Sequence, residues 1–155
     1  MANLKPQKEK LSSKIPAGVS GLRQAFHSHL SAYEKTKDTF STSSYLLLFY
    51  AAECGMKRIW LIRNNLRTTN DISDPTLLSR DGHNLDRWKK ELRISASIVG
   101  DTPHFSLASD GSDLGIEKAH QLWRYGIRMD SDKEKRVVEW LEKVCHWVKK
   151  EDRNR

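Results

Sequence analysis

The chain predicts an all-α domain, an up-and-down bundle of about five helices. Three observations lead there. Apolar residues recur at spacings of three and four in several separate segments, no segment alternates with period two for long, and the connections between periodic segments are of modest length. At 155 residues the chain suits one domain, and 37% hydrophobic residues are enough for a core without disulfides.

The first helix is expected over Val19–Lys37, where Leu22, Phe26, Leu30 and Tyr33 form one stripe. Thr39 to Ser44 then supplies breaker and capping residues. The second helix, Ser43–Leu66, is apolar on all sides in its first half, through Tyr45, Leu46, Leu47, Leu48, Phe49 and Tyr50. Such a helix is central, or it has a second partner on its far side. In its second half Lys57, Arg58, Arg63 and Arg67 are expected to face outward. Residues 68–82 are a connection, and a third helix is expected over Asn84–Ala96 with Leu85, Trp88 and Leu92 inward. After a Gly-, Asp- and Ser-rich loop, a fourth helix is expected over Asp113–Gly126. The last starts at Ser131, where Ser131 and Glu134 have capping-box spacing, and its stripe is Val137, Trp140 or Leu141, Val144 and Val148. Residues 1–18 read as a flexible basic lead, 19–150 as the single domain, and 151–155 as a disordered tail.

Charge narrows the function classes. The formal net charge is +7, but the stretches 1–16 and 149–155 carry +5 of it, through residues such as Lys5, Lys8, Lys149 and Arg153. A nearly neutral body is poor material for a dedicated duplex-binding face, and basic ends add mainly non-specific affinity. The beginning of the chain has no apolar signal core, and no apolar run approaches membrane-spanning length, so a cytoplasmic protein off the membrane is expected. Cys54 and Cys145 are expected to be reduced, buried and inert. The histidines and cysteines form no CxxC or HxxxH pair, so no metal site is expected. No phosphate-cradling glycine loop occurs and no cofactor is expected. Five tryptophans are read first as core, with room for an aromatic interface anchor.

A distributed set of residues has chemical potential. Glu53 and Lys57, four apart on the second helix, can pair as a structural ion pair. Gly82-His83-Asn84-Leu85 opens the third helix, with Asp81 or Asn84 as its cap. Arg124-Tyr125 ends the fourth, with Arg128 just beyond. Each has a plain local reading as ion pair, cap or helix end. Together, Ala52-Glu53-x-x-x-Lys57, Gly82-His83-Asn84-Leu85, Trp123-Arg124-Tyr125 and a final amphipathic helix resemble the HEPN superfamily (higher eukaryotes and prokaryotes nucleotide-binding domain) over about residues 20–150. Asn84 stands where Asp is usual in that family, and Gly126 where Pro is frequent.

The resemblance implies a four- or five-helix bundle, commonly a homodimer, working in toxin–antitoxin, abortive-infection or CRISPR-type defence systems. Some members are metal-independent ribonucleases and others non-catalytic nucleotide- or partner-binding modules. The ribonuclease signature is an Arg followed after four to six residues by a His near the last long helix. Arg124 and Arg128 have no such His. Only Arg23 with His29 fits, on the first helix, where six residues of spacing leave the side chains about 120° apart. The expectation is therefore a non-catalytic accessory or regulatory subunit with a protein partner, a homodimer through the second or last helix, and RNA or nucleotide phosphate as a further ligand. Lys57, His83, Arg124, Tyr125 and Arg128 are the expected anion contacts. The enzyme alternative, a metal-independent endoribonuclease, would use His83 with Arg124, or Arg23 with His27 or His29. A third alternative is a nucleic-acid-binding helical protein driven by its basic ends.

Overall fold

The computed structural model describes residues 15–155. The lysines at positions 5, 8, 10 and 14, and most of the expected lead, lie outside the described residues. Seven α-helices account for most of the rest: α1 (Val19–Thr36), α2 (Ser41–Arg63), α3 (Thr76–Ser79), α4 (Leu85–Glu91), α5 (Ala96–Val99), α6 (Ala119–Tyr125) and α7 (Ser131–Arg153). The protein is a mostly helical bundle, as its periodicities predict.

Helix α2 is the centre of the bundle. Helices α1, α4, α6 and α7 all pack on it, and Leu48, Phe49, Ala51, Ala52, Met56, Ile59 and Leu61 have no exposure at all. Burying such side chains contributes about 1.5–3 kcal/mol for each large one. Of its apolar first half, Leu48 and Phe49 are fully buried, while Tyr45, Leu46, Leu47 and Tyr50 are half-buried against the core. Gly55 makes the closest approach possible: a Cβ there would sit 2.8 and 2.9 Å from the Val148 γ-carbons and 3.0 Å from Phe26 Cδ2. The α1 stripe is buried as expected, and so are Trp88, Trp123, Trp140 and Trp147.

Of the four cations expected to face outward on the second helix, Arg63 and Arg67 are exposed, whereas Lys57 and Arg58 are half-buried and need correcting. Arg58 is 13% exposed and ion-paired with Asp152. Arg63 stacks over Trp147, donates to the Leu92 carbonyl and pairs with Glu151 at 3.1 Å. These pairs carry α7 through Arg153, so residues 151–153 are anchored helix rather than tail. At the other end, the lead is tied from Ala17 onward. Ala17 N donates to Thr69 Oγ1, Thr69 N to the Ala17 carbonyl and Val19 N to the Arg67 carbonyl.

Two expected helices are shorter than their apolar spacing suggests. The third ends at Glu91 because Arg93 takes a left-handed conformation (φ 53°), after which Ser95 caps the separate α5. The fourth begins at Ala119. Its expected first turns are instead a two-residue strand, β2 (Asp113–Leu114), antiparallel to β1 (Phe105–Ser106), and a 3₁₀ turn at Ile116–Lys118. Helix α7 is capped by Asp130, whose side chain accepts from Lys133 N, not by Ser131.

Candidate functional site

Three helical spacings build one cluster. On α2, Tyr50, Glu53 and Lys57 follow at three and four residues and share a face; on α6, His120 and Arg124 do the same. Because α6 and the turn before α4 both rest on α2, these side chains meet His83.

Glu53, buried to 8% exposure, is the pivot. Its Oε1 lies 2.5 Å from His83 Nδ1 and 3.7 Å from Lys57 Nζ. The geometry assigns the proton to Nδ1, which donates to the carboxylate and leaves Nε2 turned away from it. The His83 side chain is 51% exposed. Its ring lies 4.4 Å from that of His120, tilted by 38°, and His120 in turn lies 5.1 Å from the Phe49 ring. Arg124 is exposed and donates to Tyr50 Oη at 2.6 Å, which raises its pKa further, with help from Tyr125. His29 of α1 reaches the edge of the cluster, its ring 6.1 Å from that of Tyr50.

His120 is the residue that sequence reading passed over. It is 3% exposed, and its Nδ1 is buried with no hydrogen-bond partner. Burial, reinforced by the neighbouring His83 and Arg124, pushes its pKa down to about 4. It is therefore a neutral imidazole near pH 7. One sign was available: His120-x-x-x-Arg124 puts both on one face of a helix.

The expected anion contacts divide. His83, Arg124 and Tyr125, the last 68% exposed and in reach of the Arg124 guanidinium, lie at or beside the cluster. Lys57 does not present its ammonium: it is 14% exposed, sits 5.7 Å from the Trp88 ring and neutralises Glu53. Glu53 and Lys57 are thus the ion pair that their spacing predicts. Arg128 is exposed on the segment after α6, and its carbonyl accepts from Ala108 N. Among the described residues, no hydrogen bond or ion pair joins its side chain to the cluster. Arg23 is exposed on α1, as is His27, which lies edge-on to Phe26. Neither is brought to His83.

The site lies apart from three large hollows of the described residues. Hollows of about 490, 500 and 530 Å³ lie along α5 and α7, beside α4 and β2, and at the α1–α2 turn, and none is lined by Glu53, His83, His120 or Arg124. Among the described residues no group of three His, Cys, Asp or Glu side chains gathers as metal ligands. Cys54 is held inert by burial, which pushes its thiol up to about 11. None of the described helices is long and apolar enough to cross a membrane.

The chain matches no known family model, no curated protein and no solved structure.

Proposed function

We propose that this protein is a non-catalytic HEPN-like module, an accessory or regulatory subunit of a prokaryotic antiviral or toxin–antitoxin system. It docks a partner protein, works as a homodimer in the cytoplasm, and holds an RNA or nucleotide phosphate against Arg124, His83 and Tyr125. One observation carries the reading. Glu53, His83 and Arg124 come from three distant segments: the half-exposed His83 imidazole bonds Glu53, and the exposed Arg124 donates to Tyr50, one turn before Glu53 on α2. That set suits a phosphate of an extended ligand, since it does not line the three hollows described above.

Non-catalysis rests on His120. Two-step phosphodiester chemistry needs an acid and a base that both reach the substrate and titrate near the working pH. His83 meets the first condition. His120 is buried and has a pKa of about 4, so it is a poor base with little access. The endoribonuclease reading is favoured by one feature, the base-and-orienter geometry of His83 with Glu53.

Single-stranded RNA, with EDTA present, tests both. Expected are binding by anisotropy that weakens about tenfold in Arg124→Gln and His83→Gln, and intact RNA after incubation. Cleavage that disappears in His83→Ala would overturn the non-catalytic reading. Wild-type affinity in Arg124→Gln would remove the phosphate site.

A further inference from the structure

We infer that Arg87 is the positioning residue of this site: its guanidinium braces the 74–84 loop and so aims His83 at Glu53. The inference deepens the proposed function and rests on His83 belonging to the site.

His83 needs such a brace. Half of its side chain is open to solvent, so packing against His120 restrains one side only. It stands on a turn, not within a helix, and α4 starts two residues later. Something else must fix the backbone that presents it.

Arg87 does so with a fork of donors. Nε donates to Glu91 Oε1 at 3.1 Å, within α4. Nη1 donates to Asp81 Oδ2 at 2.9 Å and to Thr76 Oγ1 at 3.3 Å. Nη2 donates to Asp74 Oδ2 at 3.0 Å. One side chain thus ties both the beginning of the loop, at Asp74 and Thr76, and its later part, at Asp81, to α4. The loop closes on itself around this point. Asp74 Oδ1 accepts from the backbone and the hydroxyl of Thr76, Asp81 N donates to the Thr76 carbonyl at 2.8 Å, and Asn84 N donates to the Asp81 carbonyl at 2.9 Å. At Gly82 the turn passes so close to Leu78 that a Cβ would stand 2.6 Å from its carbonyl oxygen. His83 lies between these two fixed points. A lysine could supply the charge at position 87 but not four bonds in diverging directions from one plane.

Arg80 provides the contrast. It also binds Asp81, at 3.0 Å, but its side chain is 69% exposed and it ties Asp81 to nothing else. If charge beside Asp81 were what mattered, the two arginines would be equivalent.

The test reads the imidazole proton of His83 by nuclear magnetic resonance in ligand-free protein. A carboxylate-bound Nδ1–H resonates downfield of the amides and exchanges slowly with water; Glu53→Gln identifies it. Expected is exchange faster by about tenfold in Arg87→Lys, a smaller rise in Asp74→Asn, and wild-type exchange in Arg80→Gln. Asp74 is half-exposed, so Asp74→Asn keeps the test open if Arg87→Lys does not fold. Wild-type exchange in Asp74→Asn and Arg87→Lys, or equal loss in Arg80→Gln, overturns the inference. RNA binding is measured separately, so failure of the brace leaves that reading standing, and absence of RNA binding leaves the imidazole measurement standing.

Discussion

Replacing His120 with phenylalanine should change how stability depends on pH. In the folded protein the imidazole titrates at about 4; in the unfolded chain it titrates near 6.5. The folded value is depressed, so the stabilisation by neutral His120 is complete above about pH 6.5. As pH falls below that, the unfolded chain takes up a proton that the folded one refuses. Stability then drops by about 1.4 kcal/mol per pH unit until the folded imidazole also protonates near pH 4. The full gap is worth about 3 kcal/mol. His120→Phe places an apolar ring of similar shape against Phe49 and deletes the unpartnered Nδ1. At pH 7.5 the variant and wild type should agree within about 1.5 kcal/mol. At pH 4.5 the variant should have gained about 2–3 kcal/mol relative to wild type. Urea titrations from pH 7.5 to 4.5 measure the difference directly, and the other titrating groups largely cancel in it. Parallel profiles for the two proteins would refute a buried neutral imidazole and, with it, the argument against catalysis by His120.

Three further perturbations check the frame around the site. Gly55→Ala should cost about 1–3 kcal/mol by urea denaturation, because the new methyl meets Val148 and Phe26 at once; Val148→Ala should restore part of it. Gly82→Ala should displace the turn from the Leu78 carbonyl and abolish the slow-exchanging His83 proton; an unchanged proton signal would show that the turn can give way without moving the ring. Asp152→Ala should destabilise by about 1–3 kcal/mol, since Arg58 would keep a largely buried charge with its principal partner gone; an unchanged Tm would mean that the end of α7 is not anchored there.

Long amphipathic elements were legible in the sequence because their signal repeats. Leu22, Phe26, Leu30 and Tyr33 state the inward face of α1 four times over, and all four are buried. The same holds for Val137, Leu141, Val144 and Val148 on α7. Short elements were not legible, because one residue decides them. The left-handed turn at Arg93 ends α4 where the apolar spacing continues to Ile94, and propensity gives no warning of an arginine there. The Phe105–Leu114 pairing is too short for alternation to register. For Arg58, charge alone suggested solvent, but its acidic partner comes from the far end of the chain. The meeting of Glu53 with His83 was legible as a pattern of residues. The place of His120 beneath them was not, since a single histidine on a short helix carries no marker of depth.

A hub has a consequence for anything mounted around it. His83 arrives on one spoke and Arg124 on another; each takes its bearing from α2, and the two touch where the His83 ring meets His120. The distance between the imidazole and the guanidinium is therefore set by the hub's girth together with that one ring contact. A bulkier or smaller residue at Phe49 or Ala52, far below the surface that a ligand would see, resets that distance as surely as a change at the two charged groups themselves.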